Sequence, residues 1–295
     1  MRRLPAGVVD LADALRGKFG DGCRQQDIGA AALQRHDLRR PLTREITVRI
    51  MTMGMALFAA TALVLSASAQ TTPTAPAITR TIVAATKLPS VVETPLYFKA
   101  MRISLEPGGK SSLSAANGVL YQLSGATEIS LGVENKVLGT GEALFVAAGK
   151  TASLNAESGP PSILLYFLLV PAAELGGPTA TAAAAVTELY RTVAPIPNLK
   201  PGSYDLNLTR VTFPAQMPSN PPHHRSGAAL YYIISGTGAN TVDGKTDAKE
   251  PGSLIFEPFG LVHQWGNPSD IPFTFLAFNI NPEGVAAVIP GAPTR

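Results

Sequence analysis

Cysteine is almost missing from this 295-residue chain: the single Cys23 lies in the first fifty residues, so no intrachain disulfide and no thiolate cluster for zinc can form. Histidine is nearly as scarce, with four copies, and tryptophan occurs once. Charge is thin as well. Lys, Arg, Asp and Glu make up 15% of the residues, and ten of the 24 basic and six of the 21 acidic ones precede Met51. The remainder carries 14 basic and 15 acidic side chains, a net charge of −1 in place of +3, with no basic cluster to meet a phosphate backbone. Nucleic acid is thereby excluded as a partner. Long amphipathic repeats are also missing, while 27 Gly and 25 Pro punctuate short apolar runs, as expected of a β-rich protein.

One apolar run is longer than the others. Residues 51–69, MTMGMALFAATALVLSASA, follow Arg44 and Arg49 and end in Ala67-Ser68-Ala69. The run is too short for a stable membrane anchor and reads as a secretory signal cleaved before Gln70. On this reading residues 1–50 are a misplaced start or a long leader, and the mature protein is periplasmic or secreted and has no membrane anchor. Residues 70–90, rich in Thr, Pro and Ala, are expected to form a flexible lead-in with one strand.

The chain then repeats itself. Gly125 and Gly236, Gly141 and Gly252, and Gly149 and Gly260 are each 111 residues apart, and GVLYQLSG at 118–125 falls on ALYYIISG at 229–236. Two like units are expected, over 91–172 and 201–288, with a linker at 173–200 and a tail at 289–295. Within the linker, residues 180–193, ATAAAAVTELYRTV, lie between Pro178 and Pro195. They predict a short helical connector with Val186, Leu189 and Tyr190 as its packed face.

All histidines beyond residue 51 fall in one stretch, which reads PPHHRSGAALYYIISGTG at 221–238 and GSLIFEPFGLVHQWGN at 252–267. Each half is an apolar strand broken by Gly or Pro. Gly252, Pro258, Gly260, His263 and Asn267 fill the second signature of the cupin superfamily without a gap, and the chain resembles its two-barrel members. The resemblance implies an all-β fold of two tandem cupin (double-stranded β-helix, or jelly-roll) barrels joined by a short helical connector, after a cleavable signal peptide. In the family's first signature, His-x-His followed by Glu, the corresponding positions are His223, Arg225 and Ala229, so one ligand of three is kept. The earlier unit carries Ser112, Ser114, Gly118 and Ala152 at the four positions and is expected to complete the fold or a subunit contact, with a metal-free small-ligand pocket as the alternative.

Period-two alternation puts residues 223, 225, 229, 231 and 233 on one strand face, which the resemblance makes the barrel interior. His224 then faces outward unless a bulge at the adjacent prolines shifts the register. The resemblance implies one divalent transition metal (Mn, Fe, Ni, Cu or Zn) on His223, His263 and His224. The substitutions argue against a metal: a lost Glu and a gained Arg move the site two charge units toward positive. Such a site suits a carboxylate, enolate or phosphate on Arg225, with His223, His263 and Tyr231 as acid–base residues and Trp265 lining the pocket. Arg225 could equally pair with Glu257 or Asp270. Three readings stay open here: a metal-assisted protein acting on a small anionic or oxygenated compound, a metal-free anion-binding protein or isomerase, and a structural protein without activity. A small-molecule ligand and a homodimer through barrel edges are the expected partners.

Overall fold

The computed structural model describes residues 76–89, 95–114, 116–176 and 184–291. The expected leader and signal peptide lie outside them. No helix among the described residues is long and apolar enough to cross a membrane. Alternating and apolar runs separated by glycine turns form strands throughout. The first unit comprises β2 (Leu96–Leu105), β3 (Lys110–Ser114), β4 (Asn117–Ser124), β5 (Thr127–Leu131), β6 (Glu134–Leu138), β7 (Ala143–Val146), β8 (Thr151–Ala156) and β9 (Ser162–Pro171), after β1 (Thr79–Leu88). The second comprises β11 (Tyr204–Phe213), β12 (His223–Arg225), β13 (Ala228–Ser235), β14 (Gly238–Val242), β15 (Lys245–Lys249), β16 (Leu254–Glu257), β17 (His263–Gly266), β18 (Phe273–Pro282) and β19 (Val288–Pro290), after β10 (Ala185–Arg191). The repeated glycines close the turns. Gly236 has φ +71°, and a Cβ there would stand 2.4 Å from the Pro272 carbonyl, so no other residue fits.

Each unit is a two-sheet barrel. The first packs the sheet β10-β2-β9-β4-β7 on β3-β8-β5-β6, and the second packs β1-β11-β18-β13-β16 on β15-β14-β17-β12-β19. The two five-stranded sheets that begin with β10 and β1 also face each other, so they are apolar on both sides. This explains why β9 reads SILLYFLLVP, buried from end to end apart from two half-buried positions after Ser162 and at Pro171. Between the sheets lie Phe98, Phe167, Leu206, Leu230, Leu276 and Phe278, with Phe98 and Phe278 ring centroids 5.4 Å apart.

The lead strands are exchanged. β1, which precedes the first barrel, pairs along its length with β11 of the second, while β10, which precedes the second barrel, pairs with β2 of the first. The lead-in supplies the one strand expected of it, ten residues long. One sequence expectation is corrected by this arrangement. The helical connector is a strand over 185–191, because pairing with the open edge of β2 and packing of Val186, Leu189 and Tyr190 on the cores outweigh the helix propensity of its alanines. The tail also contributes: β19 runs beside β12, with His224 opposite Ile289.

Register decides what enters the second barrel. Four rows cross its inner sheet face: Arg80–Val211–Phe275–Ile233, Ile82–Thr209–Ala277–Tyr231–Ile255, Ala85–Asn207–Asn279–Ala229–Glu257, and Lys87–Asp205–Asn281. In the first barrel the row corresponding to the polar third one, Arg191–Lys99–Leu168–Gly118–Val146, carries a buried lysine but no carboxylate or amide, and the interior is filled by Leu113, Leu120, Ile129, Ala152 and Tyr166. Leu113 pairs with Ala152 in β3 and β8, whereas His223 pairs with His263 in β12 and β17. At the 111-residue offset Leu113 corresponds to His224, so β12 is slid by one residue. That slip turns His223 and Arg225 inward, whereas in β3 Ser112 and Ser114 lie on the outer face.

Truncating Phe278 to Ala removes the ring shared by Phe98 and Phe167 and should cost about 3–5 kcal/mol. Thermal unfolding of Phe278→Ala should show both barrels melting together at a lower temperature. Two separated transitions, with one at the wild-type midpoint, would contradict the shared core.

Candidate functional site

Glu257 is the centre of the second barrel's chemistry. It closes β16 immediately before Pro258, sits opposite Ala229 and is 1% exposed. Arg225 Nε donates to its Oε2 at 3.0 Å, and the Trp265 indole Nε1 donates to Oε1 at 2.9 Å. His263 Nε2 lies 2.9 Å from Oε2, an approach that falls short of a straight hydrogen bond and is favourable when the ring carries both protons. Burial alone would push the Glu257 carboxyl up, but Arg225, His263 and Trp265 together hold it below its ordinary value.

The network continues through the polar row. Arg225 Nη1 donates to Asn279 Oδ1 at 3.4 Å, and Asn279 Nδ2 donates to Asn207 Oδ1 at 2.9 Å. Thr209 Oγ1 also donates to Asn207 Oδ1. The guanidinium carbon of Arg225 stands 5.0 Å from the Tyr231 ring centroid. Tyr231, Trp265, Phe275 and Phe273 form a continuous aromatic group beneath it, with Tyr231 and Phe275 centroids 4.7 Å apart.

The two signature imidazoles meet. His223 and His263 are directly cross-strand, with ring centroids 4.2 Å apart at 62°. Each holds its Nδ1 2.9 Å from a carbonyl two residues back, Pro221 and Leu261. A carbonyl only accepts, so both rings are protonated at Nδ1, and Nε2 is the free nitrogen of neutral His223. Burial lowers the His223 pKa from 6.5, and the neighbouring His263 and Arg225 act in the same direction.

These side chains edge a cavity of about 750 Å³, within the size range of small-molecule sites. His223, Arg225, Tyr231 and Trp265 line it, as the sequence reading expected for an inward face. His263 is 1% exposed behind them. His224 does not join them. It is buried on the other side of β12, where its Nδ1 reaches the Gly291 carbonyl at 2.9 Å under the tail. Asn267 serves the turn: its Nδ2 donates to the Phe213, Pro214 and Ile271 carbonyls. Asp270 accepts from Gln216, so of the two partners expected for Arg225 the structure selects Glu257.

The metal implied by the resemblance does not fit this donor set. Arg225 and Ala229 occupy two ligand positions, His224 points away, and the one nearby carboxylate is bonded to a guanidinium and an indole. Among the described residues no three His, Cys, Asp or Glu side chains are placed to hold a metal ion.

Sequence reasoning missed the central role of Glu257 and the polar row. Glu257 is the only charged residue in LIFEPFGLVH, a signal available in the text. Asn279 and Asn281 alternate with apolar residues in FTFLAFNINP, which marks one polar face of an otherwise buried strand.

Fold and site together define a two-barrel β protein with one polar-floored cavity. The cupin domain family model matches residues 209–279, from β11 to β18 of the second barrel. The second barrel therefore carries a cupin domain. Oxalate decarboxylase from Bacillus subtilis is similar in structure at 14% identity, over 66% of this chain and 70% of that one, with TM-score 0.48. AerE from Microcystis aeruginosa aligns at 17% identity over 61% and 86%, with TM-score 0.46. A cupin 2 conserved barrel domain protein from Leptotrichia buccalis aligns at 19% identity over 72% and 91%, with TM-score 0.38. No curated protein matches the sequence.

Replacing Glu257 by Gln leaves a buried guanidinium unpaired and should cost about 3–5 kcal/mol, measured by chemical denaturation. The double variant Arg225→Met, Glu257→Leu should recover most of that loss. His223 and Glu257 both bind a proton less readily folded than unfolded, so stability should fall on acidification, first below pH 6.5 and again below pH 4.5. His223→Gln should remove the first step and leave the second.

Proposed function

We propose that the protein is an exported small-molecule-binding cupin whose second barrel works without a metal, with His223 as an acid–base residue at the cavity wall. One observation carries the reading: the Glu257 carboxylate is held by Arg225 and Trp265, with His263 close by, which consumes the oxygens a cation would need. What faces the cavity is a neutral imidazole, the remaining Arg225 donors, an aromatic wall and an amide row. That combination suits a small organic compound with an oxygen acceptor and an apolar body. His223 Nε2 can take a proton from such a ligand or return it, and Nδ1 stays on the Pro221 carbonyl throughout, which fixes the ring. Tyr231 lies beneath Arg225 and supports it through its ring face.

The metal-assisted alternative draws on the close approach of the His223 and His263 rings alone. Elemental analysis of protein purified without chelator separates the two readings. Metal-free protein whose melting temperature rises with organic acids or their neutral analogues is expected. A stoichiometric transition metal that disappears in His263→Ala would overturn the proposal. Export rests on the apolar run at 51–69, and N-terminal sequencing of the protein recovered from the periplasm or medium should begin at Gln70.

A further inference from the structure

We propose that Arg80, on the strand contributed from before the first barrel, is the anion anchor of the second barrel's cavity, which therefore takes a small monocarboxylate with an apolar body. This inference rests on the small-molecule reading above and moves the anchoring role away from Arg225.

Charge bookkeeping inside the cavity leads to Arg80. Three cationic side chains line it: Arg80, Lys87 and Arg225. Arg225 is bonded to Glu257 and Asn279, and Lys87 is paired with Glu283. No hydrogen bond or ion pair engages Arg80 among the described residues, yet its side chain lines the cavity and is accessible to solvent. The carboxylate of Asp205 also lines the cavity but belongs to the far row. It is opposite Lys87, accepts from the Gly284 amide, and lies six residues along β11 from Val211, roughly 20 Å at strand rise. Arg80 is thus a cation without an internal counter-ion, facing a walled cavity.

Its surroundings indicate what would fill the space beside it. Arg80 pairs with Val211, which pairs with Phe275, and Ile82 follows two residues along the same face. An apolar or aromatic ligand body would lie on Val211, Ile82 and Phe275 while its carboxylate meets the guanidinium fork. The backbone is adapted to this placement. β1 shifts register between Ile82 and Ala84, and this one-residue bulge lets Arg80 and Ile82 on one side, and Ala85 and Lys87 on the other, all line the cavity. Strict alternation from Arg80 would instead have turned Ala85 and Lys87 outward. Burial and the charge of Arg225 both lower the Arg80 pKa, two costs that a bound anion relieves.

Titration calorimetry on the full-length protein tests the assignment with benzoate, phenylacetate and hexanoate, each against its amide. At least one acid should bind wild type more tightly than its amide. Arg80→Ala should weaken that acid by about tenfold or more and leave the amide unchanged, with Arg80→Lys intermediate because it keeps the charge and loses the fork. Unchanged amide binding in Arg80→Ala also shows that the variant is folded. The assignment is overturned if Arg80→Ala binds the acid as wild type does, or if Lys87→Ala removes the preference instead; in both cases the small-molecule reading stands. If no acid or amide binds and none raises the melting temperature, that reading falls and the Arg80 assignment falls with it.

Discussion

A carboxylate closed off from water on an inner strand has to be satisfied by its neighbours, and the second barrel is arranged around that requirement. Two unit charges about 3 Å apart attract by about 5 kcal/mol at an effective dielectric near 20, while removing each ion from water costs several kcal/mol. The Arg225–Glu257 pair by itself therefore contributes little net stability. The indole neighbour and the amide row beyond Arg225 turn it into a network in which both Glu257 oxygens accept hydrogen bonds, and in such networks removing any one member costs more than the pair is worth. Specificity of arrangement is what the network supplies: it fixes Arg225 over Tyr231 and holds Trp265 within the aromatic wall.

The same region shows how two copies of one text can differ in chemistry. Both barrels have their turns at the same glycines, and both bury an apolar inner face, leucine-rich in the first and aromatic in the second. Besides the polar row, one strand carries the difference. β12 is slid one residue relative to β3, which exchanges a leucine for a histidine at the inward position opposite residue 263. The slip is accompanied by an extra neighbour, β19, which covers the His224 side of β12 and gives its imidazole a carbonyl partner. Without that cover the outward histidine would simply be solvated, and the inner face of β12 would have no strand on its outer edge.

Much of the architecture was legible beforehand. The repeat spacing pointed to two like β units, and period two gave the inward face of β12 and β13. What failed was non-local. The alanine-rich stretch before Val193 has local helix propensity, and nothing in its own letters reveals the open edge of β2 that recruits Ala185–Arg191 as a strand. The pairing of the lead-in strand was equally opaque, because the partners of TRTIVAATKL lie 116 to 133 residues further on. Glu257 was weighed only as a possible partner for Arg225. Its centrality depends on Ala229 and Glu257 being cross-strand neighbours, a relation that neither signature contains.

That cross-strand relation also explains why the site changed character without losing its shape. At the position where the resemblance expects a carboxylate stands Ala229, and one strand over, on the same row, stands Glu257. The negative charge has not left the barrel; it has moved sideways by one strand spacing, about 4.8 Å. From there it lies within reach of the guanidinium that replaced the second histidine, so the local charge changes far less than the two substitutions suggest when counted alone. A cavity expected to be strongly cationic is close to neutral at its floor. Among the described residues lining it, the one unbalanced cation is Arg80, on a strand borrowed from ahead of the other barrel.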